Sequence, residues 1–264
     1  MNRVKEYYNY AYDEWGRLER HRIEFEMTKK AMDQYIAQNS EVLDVGGGPG
    51  RYSIYLAGQG HSVTLFDLSE NLVRQAEENA RNAGVKIGQF IAGDVLELDS
   101  YLPDKSFDTV LCMGPMYHLL EENERVAAIR QCLDRLRPGG TLIVSFISAY
   151  APILDWMKNS PQEIGTVKEP LLGLLNDGRD YESTGFTDAY FENPAKIRAF
   201  FDKLGIEAIK LMAAEGIGIL CEDSLKNLPE EDFMEWIDLF YKIADHEMVL
   251  GSSMHLLYIG RKVK

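Results

Sequence analysis

Residues 41–50 read Glu-Val-Leu-Asp-Val-Gly-Gly-Gly-Pro-Gly, an apolar strand that breaks into a glycine-rich turn. Without Cβ atoms such a turn adopts positive φ, and its amides, with the N-terminus of a following helix, can face a carboxylate or another anionic group. A nucleotide-containing cofactor is the chemistry this spacing implies. A dinucleotide fingerprint would need glycine at the sixth position counted from Gly46, but Arg51 stands there, where a side chain obstructs tight helix–strand packing. Glycine turns also serve many parallel-sheet proteins without a ligand, so the surrounding elements carry the decision.

Those elements alternate. Short apolar runs at about 41–46, 62–67, 86–92, 107–113 and 140–147, separated by helical stretches, predict a parallel sheet covered on both faces. The punctuation agrees: Pro49 suits a first helical turn and Gly60 the position after that helix's end, while Ser69 caps the next helix and Gly84 closes it. Before the first strand, Ile23, Met27, Ala31 and Tyr35 recur at steps of four, which predicts helix. After Ser148 the alternation stops for roughly forty residues, longer than compact domains spend on a plain connection, and an inserted lid is expected. Asn193-Pro194 then opens a helix to Leu204 that ends at Gly205, followed by a sixth strand at about 206–213. Phe233, Trp236, Ile237, Phe240 and Ala244 make the apolar stripe of a long helix, and residues 255–259 supply a last strand.

Taken with Asp44, the turn displays an acidic-x-Gly-x-Gly-x-Gly pattern through Gly46, Gly48 and Gly50. In this it resembles the class I S-adenosylmethionine-dependent methyltransferases, and the resemblance extends in ordered motifs from about Glu41 to Phe146. It implies an α/β fold: a doubly wound, seven-stranded, mostly parallel sheet of Rossmann-like methyltransferase type, the last strand antiparallel, with a helical lid. It also implies S-adenosyl-L-methionine as cofactor, with Asp44, Gly46 and Gly48 at the turn. Asp67, ending the second strand, stands where a carboxylate accepts hydrogen bonds from both ribose hydroxyls. Leu68 would pack on adenine, and Asp94, in Gly93-Asp94-Val95, would accept from the adenine amino group. Leu136-Arg137-Pro138-Gly139-Gly140 is similar to the family's turn before the fifth strand. Each acidic residue alone also suits a helix cap.

In such sheets ligands bind beyond the carboxyl ends of the strands where strand order reverses, which puts the reacting face after the fourth strand, at residues 108–118. Methyl transfer is an in-line displacement, so the protein supplies alignment, exclusion of water and, for a protonated nucleophile, a base. His118 is the candidate base, by similarity to plant-type small-molecule O-methyltransferases; a packed histidine closing the strand is the other reading. Gly114-Pro115-Met116-Tyr117 lacks the asparagine and second proline of enzymes that methylate base amino groups or glutamine, and the whole stretch is similar to a bacterial small-molecule branch of the family. Tyr117, His118 and Tyr190 are the candidate substrate contacts, and Met113 either touches the cofactor or fills the core. Tyr7, Tyr8, Tyr12 and Trp15 form either an N-terminal cover or core packing; Phe186, Tyr190 and Phe191 either line the lid or anchor it.

The expected segmentation is an N-terminal helical cover (1–40), a cofactor-binding core (41–147), a lid insertion (148–192) and the C-terminal part of the core (193–264). A formal net charge of −14 argues against nucleic acid as a partner, since phosphate backbones are gripped by Lys and Arg. Ten acidic residues against Lys226 and Lys242 fall in residues 215–250, expected to be a solvated helical face. Cys112, Cys132 and Cys221 lack disulfide or zinc spacing, and His21, His61, His118, His246 and His255 are scattered, so no metal site is legible. With no apolar run of the roughly 18 residues a span requires, and no signal peptide in a charged, tyrosine-rich N-terminus, the expected compartment is the cytoplasm. The expected activity is methyl transfer to an O or N atom of a small metabolite. The alternatives are an RNA or protein methyltransferase, for which an extended basic groove would speak, and a non-catalytic cofactor-binding regulator, for which a plugged site would speak.

Overall fold

The computed structural model describes residues 3–10, 14–181 and 187–263. Seven strands form one sheet: β1 (Glu41–Val45), β2 (Ser62–Asp67), β3 (Gln89–Ala92), β4 (Phe107–Cys112), β5 (Leu136–Ile147), β6 (Ile206–Ala213) and β7 (His255–Lys262). Their order is β3-β2-β1-β4-β5-β7-β6, parallel throughout except β7, which is antiparallel to both neighbours. This is the seven-stranded, doubly wound sheet expected, and its order reverses between β1 and β4. Two boundaries shift because pairing outlasts the apolar runs: β5 already pairs at Leu136 with Phe107, and β7 continues to Lys262, opposite Ile206.

The longer helices are α1 (Arg3–Tyr10), α2 (Glu14–Arg20), α3 (Arg22–Tyr35), α4 (Arg51–Gly58), α5 (Glu70–Asn82), α6 (Glu122–Asp134), α7 (Ala151–Asn159), α8 (Ile164–Asp177), α9 (Pro194–Asp202) and α10 (Glu230–Ile243). Successive strand residues face opposite sides, so Val42 packs with Ile23, Met27, Leu56, Ala76 and Phe233 on one face, while Leu43 packs with Ile129, Cys132, Ile197 and Phe201 on the other. Caps form largely as the residue types dictate: Ser69 Oγ accepts from the Leu72 amide at 3.1 Å, and Asn193 Oδ1 from the Ala195 amide at 3.0 Å. Pro49 is an exception, since α4 begins at Arg51 behind a left-handed Gly50. Helix α9 ends at Asp202, before Leu204. On α10, Phe233, Ile237 and Phe240 are buried while Trp236 is 43% exposed, so the stripe is narrower than its sequence suggests.

Two features position the site. Residues 148–192 leave the sheet after β5 and return beside their starting point: the Glu192 amide donates to the Ile147 carbonyl and the Ala149 amide to the Glu192 carbonyl, both at 2.8 Å. Between those ends α7 and α8 build a small core of Ala151, Val167, Leu171, Leu174 and Phe191. Helix α1 is tied to the start of α5 by Lys5–Glu70 (2.7 Å) and to the insertion by Arg3–Asp188 (2.8 Å).

Candidate active site

The carboxyl ends of β1, β2 and β4 open onto a cavity of about 170 Å³. Its floor is the glycine turn, where the Gly46 amide donates to the Phe66 carbonyl at 2.8 Å. At Gly46 φ is 74°, and a Cβ would stand 2.8 Å from Pro115 Cδ and 2.9 Å from the Gly114 nitrogen, so glycine is required. The Asp67 carboxylate accepts from the Gly48 amide through Oδ2 and from the Ser69 amide through Oδ1, both at 2.8 Å. Burial pushes its pKa up to about 6 despite these bonds. Each carboxylate oxygen has a second acceptor site left for a ligand hydroxyl. Gly46, Gly48, Asp67, Leu68, Asp94, Val95, Met113, Tyr117 and His118 all lie on this wall. Asp94 also caps the turn behind it, accepting from the Leu96 amide at 2.9 Å.

A second cavity, about 480 Å³, adjoins the first and is walled by Tyr7, Tyr8, Tyr117, Trp156 and Phe191 with a polar end at Glu14, Arg17, His21 and His255. The two share Tyr8, Glu14, Arg17 and Tyr117. The polar end is the front of a charged array. Arg17 donates through Nε to Glu14 (2.9 Å) and through both terminal nitrogens to Glu24 (2.7 and 3.0 Å). His255 Nδ1 stands 3.6 Å from Glu24 and 2.5 Å from Glu215. Burial works against an ionised Glu24, yet Arg17, aided by His255, holds its pKa down at about 2. Sequence reasoning missed Glu14, Arg17 and His255. The only available signal was a cluster of charges along the N-terminal helices, which reads equally as a solvated face.

Comparison with known proteins agrees with this geometry. A family model described as "Methyltransferase domain" matches residues 42–140. The chain is 37% identical over 109 residues to a ubiquinone biosynthesis O-methyltransferase of Xanthomonas euvesicatoria, covering 41% of this chain and 44% of that one. A Rickettsia conorii protein of the same name is 30% identical over 162 residues, 57% and 53% of the two chains. The chain thus spans about half the length of these curated relatives. In fold it matches magnesium protoporphyrin IX methyltransferase of Synechocystis, solved with bound S-adenosylhomocysteine, at a TM-score of 0.59 and 18% identity over 98% of this chain and 97% of that one. Residues 42–140 thus match a methyltransferase domain, and the chain as a whole shares the fold of a solved methyltransferase.

Several residues expected to touch a ligand stand elsewhere in the structure. Asp44 is not on the cavity wall; it lies fully buried beneath the turn, where its Oδ2 accepts from Ser53 Oγ at 2.7 Å, and burial raises its pKa to about 6. Tyr190 lines neither cavity, because the Arg125 guanidinium stacks on its ring at 3.5 Å from the centroid. Trp15 packs under Arg51, 4.1 Å from the ring centroid, whereas Tyr7 and Tyr8 do line the second cavity. Tyr12 and Phe186 lie outside the described residues. Glu215 and Glu222, expected on a solvated face, are buried.

The geometry around His118 favours the packed reading over that of a base and substrate contact. The residue borders the first cavity only. Its Nε2 lies 3.0 Å from Tyr8 Oη and its Nδ1 3.4 Å from the Asp188 carbonyl. A carbonyl only accepts, so Nδ1 carries the hydrogen and Nε2 is taken by the tyrosine hydroxyl. Burial also pushes the imidazole pKa down to about 4. His118→Asn is therefore expected to lower stability by about 0.5–3 kcal/mol and turnover of the folded fraction by less than about tenfold. A loss of about 10²–10⁴ in a pH–rate series would restore the base assignment.

Proposed function

We propose that this protein transfers the methyl group of S-adenosylmethionine to an oxygen or nitrogen of a small molecule held in the second cavity. The observation that carries this reading is the junction of the two cavities at Tyr8, Glu14, Arg17 and Tyr117, which gives a ligand in the glycine-turn cavity a path to a separate aromatic pocket. When bound, the cofactor supplies a methyl group made electrophilic by its sulfonium. Asp67 accepts from the ribose hydroxyls, Asp94 from the adenine amino group, and Leu68 and Val95 flank the base. The turn at Gly46 and Gly48 brings backbone close to the amino-acid end. Tyr8 and Tyr117 narrow the passage and exclude water, which aligns acceptor and methyl carbon for in-line displacement. Residues 148–192 serve as the lid of the acceptor pocket, contributing Trp156 and Phe191.

An aromatic-walled pocket of about 480 Å³ favours a small acceptor over RNA or protein, and the curated O-methyltransferase relatives favour oxygen as the accepting atom. A second cavity sharing four wall residues with the first argues against a purely sensing role. No described helix is long and apolar enough to cross a membrane, and the three cysteines are free thiols, which supports a cytoplasmic location.

Calorimetry tests the cofactor assignment. Asp67→Ala is expected to weaken S-adenosylhomocysteine binding by about tenfold or more, because charge-assisted bonds to two hydroxyls contribute about 1.5–3 kcal/mol. The ionised carboxylate is the binding form, so wild-type affinity should fall as pH drops through about 6, by up to about tenfold per unit. An unchanged dissociation constant in Asp67→Ala would remove this residue from the site. Transfer of label from methyl-tritiated cofactor to a metabolite extract tests the reaction itself.

A further inference from the structure

The polar end of the acceptor cavity contains a histidine arranged as a base. His255 opens β7, and its Nδ1 lies 2.5 Å from Glu215 Oε1. Glu215 is 1% exposed, and its other oxygen accepts from Ser253 Oγ at 2.7 Å and from the His255 amide at 2.9 Å. The carboxylate is thus immobilised partly by the backbone of the residue it orients. A carboxylate only accepts, so the ring hydrogen sits on Nδ1 and the neutral imidazole keeps its lone pair on Nε2. Among the described residues no hydrogen bond engages Nε2. His255 is among the residues that line the acceptor cavity, and Nε2 is its nitrogen left for a ligand.

We propose that His255, oriented by Glu215, is the group that takes the proton from the methyl acceptor. The inference rests on the transferase reading above and deepens it. The acceptor oxygen's lone pair forms the new bond to the methyl carbon. The carbon–sulfur bond breaks with its electron pair passing to sulfur, and the acceptor's O–H proton passes to Nε2. The imidazolium that results is neutralised by Glu215, the division of labour of a carboxylate–histidine pair. Such a base suits a proton-bearing nucleophile rather than a thioether or a tertiary amine. The tyrosine and tryptophan walls suit a planar ring, so the acceptor class is a small hydroxylated aromatic or enolic molecule.

The surroundings set the pH response. Glu24 of α3 and Glu215 face the ring directly, Arg17 of α2 acts on it through Glu24, and Glu14 and His21 share the cavity wall. Burial opposes the charged imidazole, but the two glutamates outweigh it and raise its pKa above the ordinary histidine value. Turnover should therefore rise with pH through a limb above about 6.5. The donor atoms of Glu24, Glu215 and His255 lie close enough to hold a metal ion. Both Glu24 oxygens, however, already bind Arg17, and both Glu215 oxygens have donors.

The test measures label transfer from methyl-tritiated S-adenosylmethionine to catechol, caffeate and a metabolite extract across pH 5–10. His255→Asn is expected to lose about 10²–10⁴ in turnover together with the pH limb, while S-adenosylhomocysteine affinity stays within about threefold. Glu215→Gln should move the limb down towards about 6.5, which a structural role in packing would not do. His255→Ala should regain part of the rate with added imidazole. Turnover of His255→Asn within about threefold of wild type, an unmoved limb in Glu215→Gln, or activity lost to a chelator and restored by a divalent cation would each overturn the assignment. Wild type that binds S-adenosylhomocysteine yet labels nothing would instead overturn the transferase reading, and this inference with it.

Discussion

Replacing Gly46 by alanine is expected to weaken S-adenosylhomocysteine binding by about a hundredfold or more and to lower stability by about 2–4 kcal/mol. Two effects act in the same direction. At φ 74° a non-glycine residue costs about 1–2 kcal/mol before any contact is counted. The new Cβ then meets Pro115 Cδ at 2.8 Å and the Gly114 nitrogen at 2.9 Å, a ring and a backbone with no rotamer to escape into. Relief requires the turn to shift into the cofactor cavity or the loop after β4 to shift away from it. Gly48→Ala is the control: φ is 53°, but the nearest neighbour is Glu14 Cγ at 3.6 Å, an ordinary van der Waals contact. Its cost should be about 1–2 kcal/mol, the backbone term alone. Calorimetry and thermal melting on both variants separate the terms, and equal behaviour of the two would refute the close-approach argument.

Arg17→Met should be the most damaging single change to stability, at about 3–5 kcal/mol. Arg17 and Glu24 are 16% and 8% exposed in their side chains, so removing the cation leaves Glu24 largely desolvated and facing Glu14 and Glu215 without its principal counter-charge. For a chain of this size that corresponds to a melting temperature lower by about 6–20 °C. Removing both partners, in Arg17→Met with Glu24→Met, should recover at least about half of the loss, since no orphaned charge remains. The single variant should also lose acceptor turnover, because Arg17 borders both cavities and anchors the glutamate that faces His255. A double variant no more stable than the single one would show that packing of the arginine stem, not charge, is the stabilising contribution.

The residues that line the glycine-turn cavity were legible because they are local. Gly46, Gly48, Asp67 and Asp94 each end a strand or open a helix within a few residues of an apolar run, and the parallel sheet brings those ends together whatever surrounds them. Asp44 misled because one pattern serves both a ligand contact and a buried support: it stands two residues before Gly46, but alternation along β1 turns it beneath the turn instead of towards the cavity. His118 misled for a comparable reason. Its position after β4 was read correctly, yet nothing near it in the chain reveals that Tyr8, 110 residues away, occupies its Nε2.

The charged end of the second cavity could not be read from local sequence at all. His255, Glu215, Glu24 and Arg17 stand on three separate elements and the loop after β6, up to 238 residues apart, and each taken singly looks like surface charge. Hydrophobic periodicity and turn chemistry by themselves determined the alternating strands and helices and the glycine turn, and the family resemblance implied the sheet they build, because strand and helix periods and glycine's permissive φ are properties of short segments. Only the tertiary structure decided which charges are desolvated, which histidine has a nitrogen to spare, and where the second cavity lies. Ionisation, hydrogen-bond occupancy and enclosure depend on what the rest of the chain packs against each group.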